Sequence, residues 1–89
     1  MPRYIVERTM GQLTPEQWED TAKRSSEAIK TLGGSVVWIR SHISHAEGKV
    51  YCEYDAPSSE AVAEVSRLAG MPVDRISEIS LEVSPTMFV

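Results

Sequence analysis

Two histidines, His42 and His45, stand three residues apart, with Glu47 two positions further on. Imidazole and carboxylate donors suit nickel or zinc, so His42, His45 and Glu47 form a candidate metal-ligating group. His42 also closes the run Trp38-Ile39-Arg40-Ser41-His42, in which every second side chain is aromatic, cationic or imidazole. A second run, Tyr51-Cys52-Glu53-Tyr54-Asp55, places an aromatic ring and two carboxylates at the same spacing. With both runs on one surface, His42 could serve as a general base and Arg40 could hold an anionic group, while Trp38 and Tyr51 shape an apolar wall. Histidine exchanges protons near neutral pH, which suits that role. Cys52 is the one cysteine. A nucleophilic thiol needs an activating base or charge beside it, and with neither in evidence Cys52 reads as a small core hydrophobe.

The elements that must position these groups are legible from local chemistry. Tyr4 to Thr9 alternates and is rich in strand formers. Leu13-Thr14-Pro15-Glu16-Gln17-Trp18 opens a helix. Thr14 is the cap, Pro15 takes the first position, Gln17 can close a capping box, and Leu13 with Trp18 fits a hydrophobic staple. Trp18, Ala22, Ser25, Ile29 and Leu32 then share one helix face, and Gly33-Gly34 stops the helix. Strands are predicted over Ser35 to Ser44 and Lys49 to Asp55, joined by the hairpin loop His45-Ala46-Glu47-Gly48. Ser58 caps a second helix through Ala69, with Val62, Val65 and Ala69 inward and Gly70 and Pro72 beyond its end. A last strand is expected from about Arg75 to Val83. The order βαββαβ is the ferredoxin-like, α+β arrangement: a four-stranded antiparallel sheet with both helices on one face. The other face must meet water, a ligand or a partner.

Strict alternation sorts the sheet into two faces. Val37, Ile39, Ser41 and Ile43 fall with Val50, Cys52 and Tyr54, a mostly apolar set assigned to the helices. Trp38, Arg40 and His42 then share the open face with Tyr51, Glu53 and Asp55, joined by Ile5, Glu7 and Thr9 from the first strand. Glu7, Trp38, Tyr51 and Glu53 are the expected ligand-binding residues on that face. The plainer reading makes Arg40 and Glu53 a cross-strand ion pair and Trp38 a packing anchor at a subunit interface.

Composition narrows the function classes. The chain has 89 residues, 42% hydrophobic and 25% charged, which fits one globular domain over residues 1–89 with a short tail from about residue 84. So short a chain buries only roughly 60% of its unfolded surface, so self-association or a ligand is expected to add burial. Nine basic against thirteen acidic residues give a formal net charge of −4 at pH 7. That is the wrong sign for phosphate recognition, and no nucleic-acid role is expected. The longest apolar run, Val36 to Ile39, is far too short to span a bilayer. With no secretory leader visible and one cysteine that cannot form an intrachain disulfide, the expected location is the cytoplasm.

The chain resembles a family of small bacterial ferredoxin-like proteins of unknown function that includes proteins called nickel-binding protein. The resemblance runs almost full length through Arg3-Tyr4-Ile5-Val6-Glu7-Arg8, Leu13-Thr14-Pro15-Glu16 and Val37-Trp38-Ile39-Arg40-Ser41. It continues through Lys49 to Pro57 and Gly70-Met71-Pro72-Val73-Asp74-Arg75-Ile76, with Tyr51 to Pro57 the most telling segment. It implies a ferredoxin-like fold, a homodimer built through the sheets, and a family in which at least one member binds nickel. Relatives often carry a tyrosine where His42 stands and a histidine at the position of Val65.

The expected function is therefore a small cytoplasmic homodimeric binding protein that holds a transition metal, nickel by resemblance, through His42, His45 and carboxylates such as Glu47, Glu53 or Glu7. The alternative is a cofactor-independent enzyme of oxygenase, cyclase or isomerase type with His42 and Arg40 as its catalytic groups, a reading that rests on fold analogy. A third reading makes the open face only an interface, with the apolar end of Ser84-Pro85-Thr86-Met87-Phe88-Val89 packed over a partner subunit.

Overall fold

The computed structural model describes residues 1–88 and has the order β1 (Arg3–Thr9), α1 (Pro15–Thr31), β2 (Val37–Ser44), β3 (Lys49–Asp55), α2 (Ser59–Ala69) and β4 (Arg75–Ile79), followed by a short 3-10 turn at Pro85–Phe88. The strands form one antiparallel sheet in the order β2-β3-β1-β4, as the ferredoxin-like arrangement requires.

Both helices start as their sequences dictate. The Thr14 hydroxyl accepts from the Gln17 N–H at 3.2 Å, and the Gln17 side chain accepts from the Thr14 N–H at 2.8 Å, so the capping box is closed. Ser58 caps α2 by accepting from the Ala61 N–H, and Gly70 ends it in the left-handed conformation. α2 buries Val62, Val65, Ser66 and Ala69, whereas the fully buried positions of α1 are Thr21, Ser25 and Ala28. The apolar core joins these helices to Tyr4, Val6, Val50, Cys52 and Tyr54 of the sheet. Val65 is a fully buried core position.

Two details depart from the sequence reading. β4 ends at Ile79, and Leu81 and Val83 beyond it are exposed. Arg3 pairs with Ile79, and before Arg3 comes Pro2, which has no N–H to extend the ladder. The register of β4 also turns Ile79 to the open face beside Arg3, while Ile76 and Glu78 sit on the helix side opposite Val6 and Tyr4. The second departure is a β-bulge in β2. Arg40 to Ser44 pair regularly with Glu53 to Lys49, but Trp38 pairs with Tyr54 and Val37 with Asp55, so Ile39 is one residue too many for the ladder. The bulge reverses the expected facing of Val37 and Trp38. Of the expected tail packing, Val89 lies outside the described residues.

Candidate functional site

The open face is built from rows of opposed residues that run across the strands. One row carries Arg40, Glu53, Ile5 and Ser77; the next carries His42, Tyr51, Glu7 and Arg75. A third holds Val37, Asp55, Arg3 and Ile79. Cationic and anionic side chains are interleaved, so no single sign of charge dominates the surface.

Glu53 is the centre of this face. Its side chain is 17% exposed, against 63% for His42 and 60% for Arg40. One carboxylate oxygen lies 3.4 Å from His42 Nε2 and the other 3.8 Å from Arg40 Nε. An imidazole and a carboxylate in this proximity are two of the donors a nickel or zinc ion takes, and Arg40 occupies the opposite edge of the same carboxylate. At the sheet margin Asp55 accepts from Arg3 Nε at 3.1 Å. That hydrogen bond to Asp55 raises the Arg3 pKa further above its usual value.

Four expected site residues share this face with Glu53: Arg40 and His42 on β2, Tyr51 on the same strand as Glu53, and Glu7 on β1. His45 and Glu47 do not join them. Both lie exposed in the turn between β2 and β3, and among the described residues no three His, Cys, Asp or Glu side chains converge in a group that could hold a metal ion. Within one chain His42 and Glu53 thus lie side by side, but the three-residue group His42, His45, Glu47 is not assembled among the described residues.

Trp38 requires correction. It does not stand beside Arg40 and His42, so it cannot form a wall with Tyr51. The bulge at Ile39 carries its indole to the helix-facing side, where Nε1 donates to Ser41 Oγ at 3.0 Å and Ser41 donates to Cys52 Sγ at 3.1 Å. Trp38 stays 36% exposed on that side with its N–H satisfied, and Val37, 48% exposed, takes its place on the open face. Cys52 is buried on the helix side as expected.

Sequence reasoning passed over Arg8. Alternation places it inward beside Tyr4 and Val6, and its side chain is fully buried. The guanidinium donates to the Pro72 carbonyl at 2.9 Å, the Tyr54 hydroxyl at 3.1 Å and Ser66 Oγ at 3.0 Å, while its Nε has no partner. Burial pushes the Tyr54 hydroxyl up to about 12, with Cys52 adding to the rise and Arg8 opposing it. The signal in the sequence was a charged residue at an inward strand position, a pattern that marks either an error of register or a buried polar network.

The family described as Nickel responsive protein SCO4226-like matches residues 4–79 of this chain. Among solved structures, the chain is similar to SCO4226 from Streptomyces coelicolor A3(2), with 26% sequence identity, a TM-score of 0.81, and coverage of 91% of this chain and 99% of that one. No curated protein matches the chain. Among the described residues no helix is long and apolar enough to cross a membrane.

Proposed function

The chain belongs to the SCO4226-like family of nickel responsive proteins, and from that premise we propose that it is a small cytoplasmic binding protein that takes up nickel on the open face of its sheet as a homodimer. The observation that carries this reading is the His42–Glu53 pair, an imidazole nitrogen and a carboxylate oxygen 3.4 Å apart at the centre of that face. Two protein donors are half of a usual set, and a second copy facing the first would contribute the other half. The interleaving of Arg3, Arg40 and Arg75 with Glu7, Glu53 and Asp55 supports this reading, because a face carrying both signs of charge can meet a second copy of itself across a two-fold axis. When bound, nickel would supply charge that organises the two facing carboxylates; the chain's own residues hold it and need perform no redox chemistry. Arg40, 3.8 Å from the other oxygen of the Glu53 carboxylate, would help hold that carboxylate in place beside His42.

Native mass spectrometry with and without added nickel tests this. The expected result is a dimer with a defined number of nickel ions, lost in His42→Ala and in Glu53→Gln and retained in the double variant His45→Ala/Glu47→Gln. A dimer that ignores nickel but keeps a co-purified organic mass would replace the metal reading with the enzyme alternative. Equal nickel uptake by His42→Ala and wild type would remove the site from the open face.

A further inference from the structure

On the opposite side of the sheet from His42 and Glu53, α1 stands away from the β2–β3 hairpin and leaves a pocket of about 270 Å³. We infer that this pocket is a second binding site, for a small neutral aromatic molecule of one or two rings. It does not depend on the metal reading.

Its dimensions and chemistry both point to that class. A buried apolar cavity of about 150 Å³ accepts benzene, so nearly twice that volume has room for a fused two-ring compound. Among the described residues no charged side chain lines the pocket. It is lined by both tryptophans, Trp18 and Trp38, by aliphatic residues such as Ala22 and Ile43, and by the sulfur-bearing Cys52 and Met71. Indole faces and polarisable sulfur favour contact with an aromatic ring over an aliphatic chain.

The polar groups in the walls are already engaged. Ser41 donates to Cys52 and accepts from Trp38, the Thr21 hydroxyl donates to the Gln17 carbonyl, and the Ser25 hydroxyl donates to the Thr21 carbonyl. The Tyr54 hydroxyl accepts from Arg8. With their hydrogens committed, the Ser41, Thr21 and Ser25 hydroxyls have only lone pairs to offer and suit a ligand donor such as a ring N–H or a phenol. The Tyr54 hydroxyl, an acceptor from Arg8, keeps its own hydrogen. An ionised ligand would be desolvated without a counter-charge, which excludes carboxylates and amines. The bulge at Ile39 is the device that makes the site, because it turns Trp38 into the pocket mouth instead of onto the open face.

Trp18 and Trp38 are the only tryptophans in the chain, so their two indole N–H signals in the nitrogen–proton correlation spectrum of isotope-labelled protein report on this pocket directly. The full chain is titrated with unlabelled indole, a neutral two-ring probe with one donor. Saturable shifts of both signals are expected, with the affinity about tenfold weaker in Ala22→Phe, which fills the space. Should Ala22→Phe fail to give a folded spectrum, Ile43→Phe narrows the mouth from a half-exposed position on an edge strand and is expected to weaken binding likewise. An absence of saturable shifts up to the solubility of indole would overturn the inference. So would shifts as strong in a folded filling variant as in wild type, which would place binding elsewhere. Tryptophan signals that move on diluting the protein alone would assign the pocket to a segment of a second copy, and would equally overturn it.

Discussion

Arg8 shows how much a single inward position on a strand can organise. Its guanidinium ties together Tyr54 on β3, Ser66 on α2 and the Pro72 carbonyl in the loop before β4, and among the described residues no carboxylate pairs with it. The charge is spread over several hydrogen bonds instead of one ion pair, and each partner depends on it. Arg8→Ala would leave the Tyr54 and Ser66 hydroxyls short of a partner and open a cavity; a loss of about 3 kcal/mol or more is expected in urea denaturation. A loss under about 1 kcal/mol would mean that water replaces the guanidinium freely. Glu53 is the corresponding residue on the open face, where its low exposure and two cationic or imidazole neighbours distinguish it from the surrounding surface carboxylates. Its position on the open face was legible from alternation in β3. Its hold on His42 could be read only once β2 and β3 were in register, because a shift of one residue would have moved His42 to the other side.

Elements are stabilised at their ends, and there the local sequence is a sufficient guide. The closed capping box of α1 predicts that Thr14→Ala costs about 1 kcal/mol, read as a shift of the urea midpoint with the slope unchanged. A second end is tied by Asp74, just before β4. Its carboxylate accepts from Thr9 Oγ1 at the end of β1 and lies 3.3 Å from Lys49 Nζ at the start of β3. The Thr9 hydrogen bond, helped by Lys49, holds the Asp74 carboxyl below the usual carboxylate range. A lowered folded-state pKa means that the ionised form contributes stability in full above the unfolded value of about 3.9, and that this contribution disappears as the pH falls through the folded value. Asp74→Asn is therefore expected to be less stable than wild type at neutral pH, with the difference closing in acid. A gap between the two that stays constant from neutral pH into acid would show that the carboxylate charge contributes nothing.

At the scale of the whole molecule, the sheet is covered on one side only, and beyond β4 Glu82 lies 3.7 Å from Arg3 while the apolar side chains around it face outward. Leu81, Val83 and Met87 are exposed at 74%, 57% and 59%. If that segment lies over the facing copy in the proposed homodimer, deleting residues 86–89 will weaken dimerisation, measurable as a higher dissociation constant in sedimentation equilibrium. An unchanged dimer would confine the interface to the sheet. Leu81 and Val83 alternate as a strand does, but a strand needs a neighbour, and Pro2 next to Arg3 has no N–H to continue the ladder.

The order of elements, both helix starts, both glycine stops and the four-residue hairpin turn follow from the chain alone, because each depends on residues within a few positions of one another. The family resemblance rested on the same contiguous segments. The facing of Trp38, the burial of Arg8, the end of β4 and the distance between His42 and Glu53 depend on which strand lies alongside, at what register and under which helix. Periodicity assumes an unbroken ladder, and one extra residue at Ile39 was enough to exchange an indole for a valine between the two faces of the sheet. The polar pair on one side and the aromatic pocket on the other both come from that pairing, because a side chain's neighbours across a sheet are set by the ladder and not by its place along the chain.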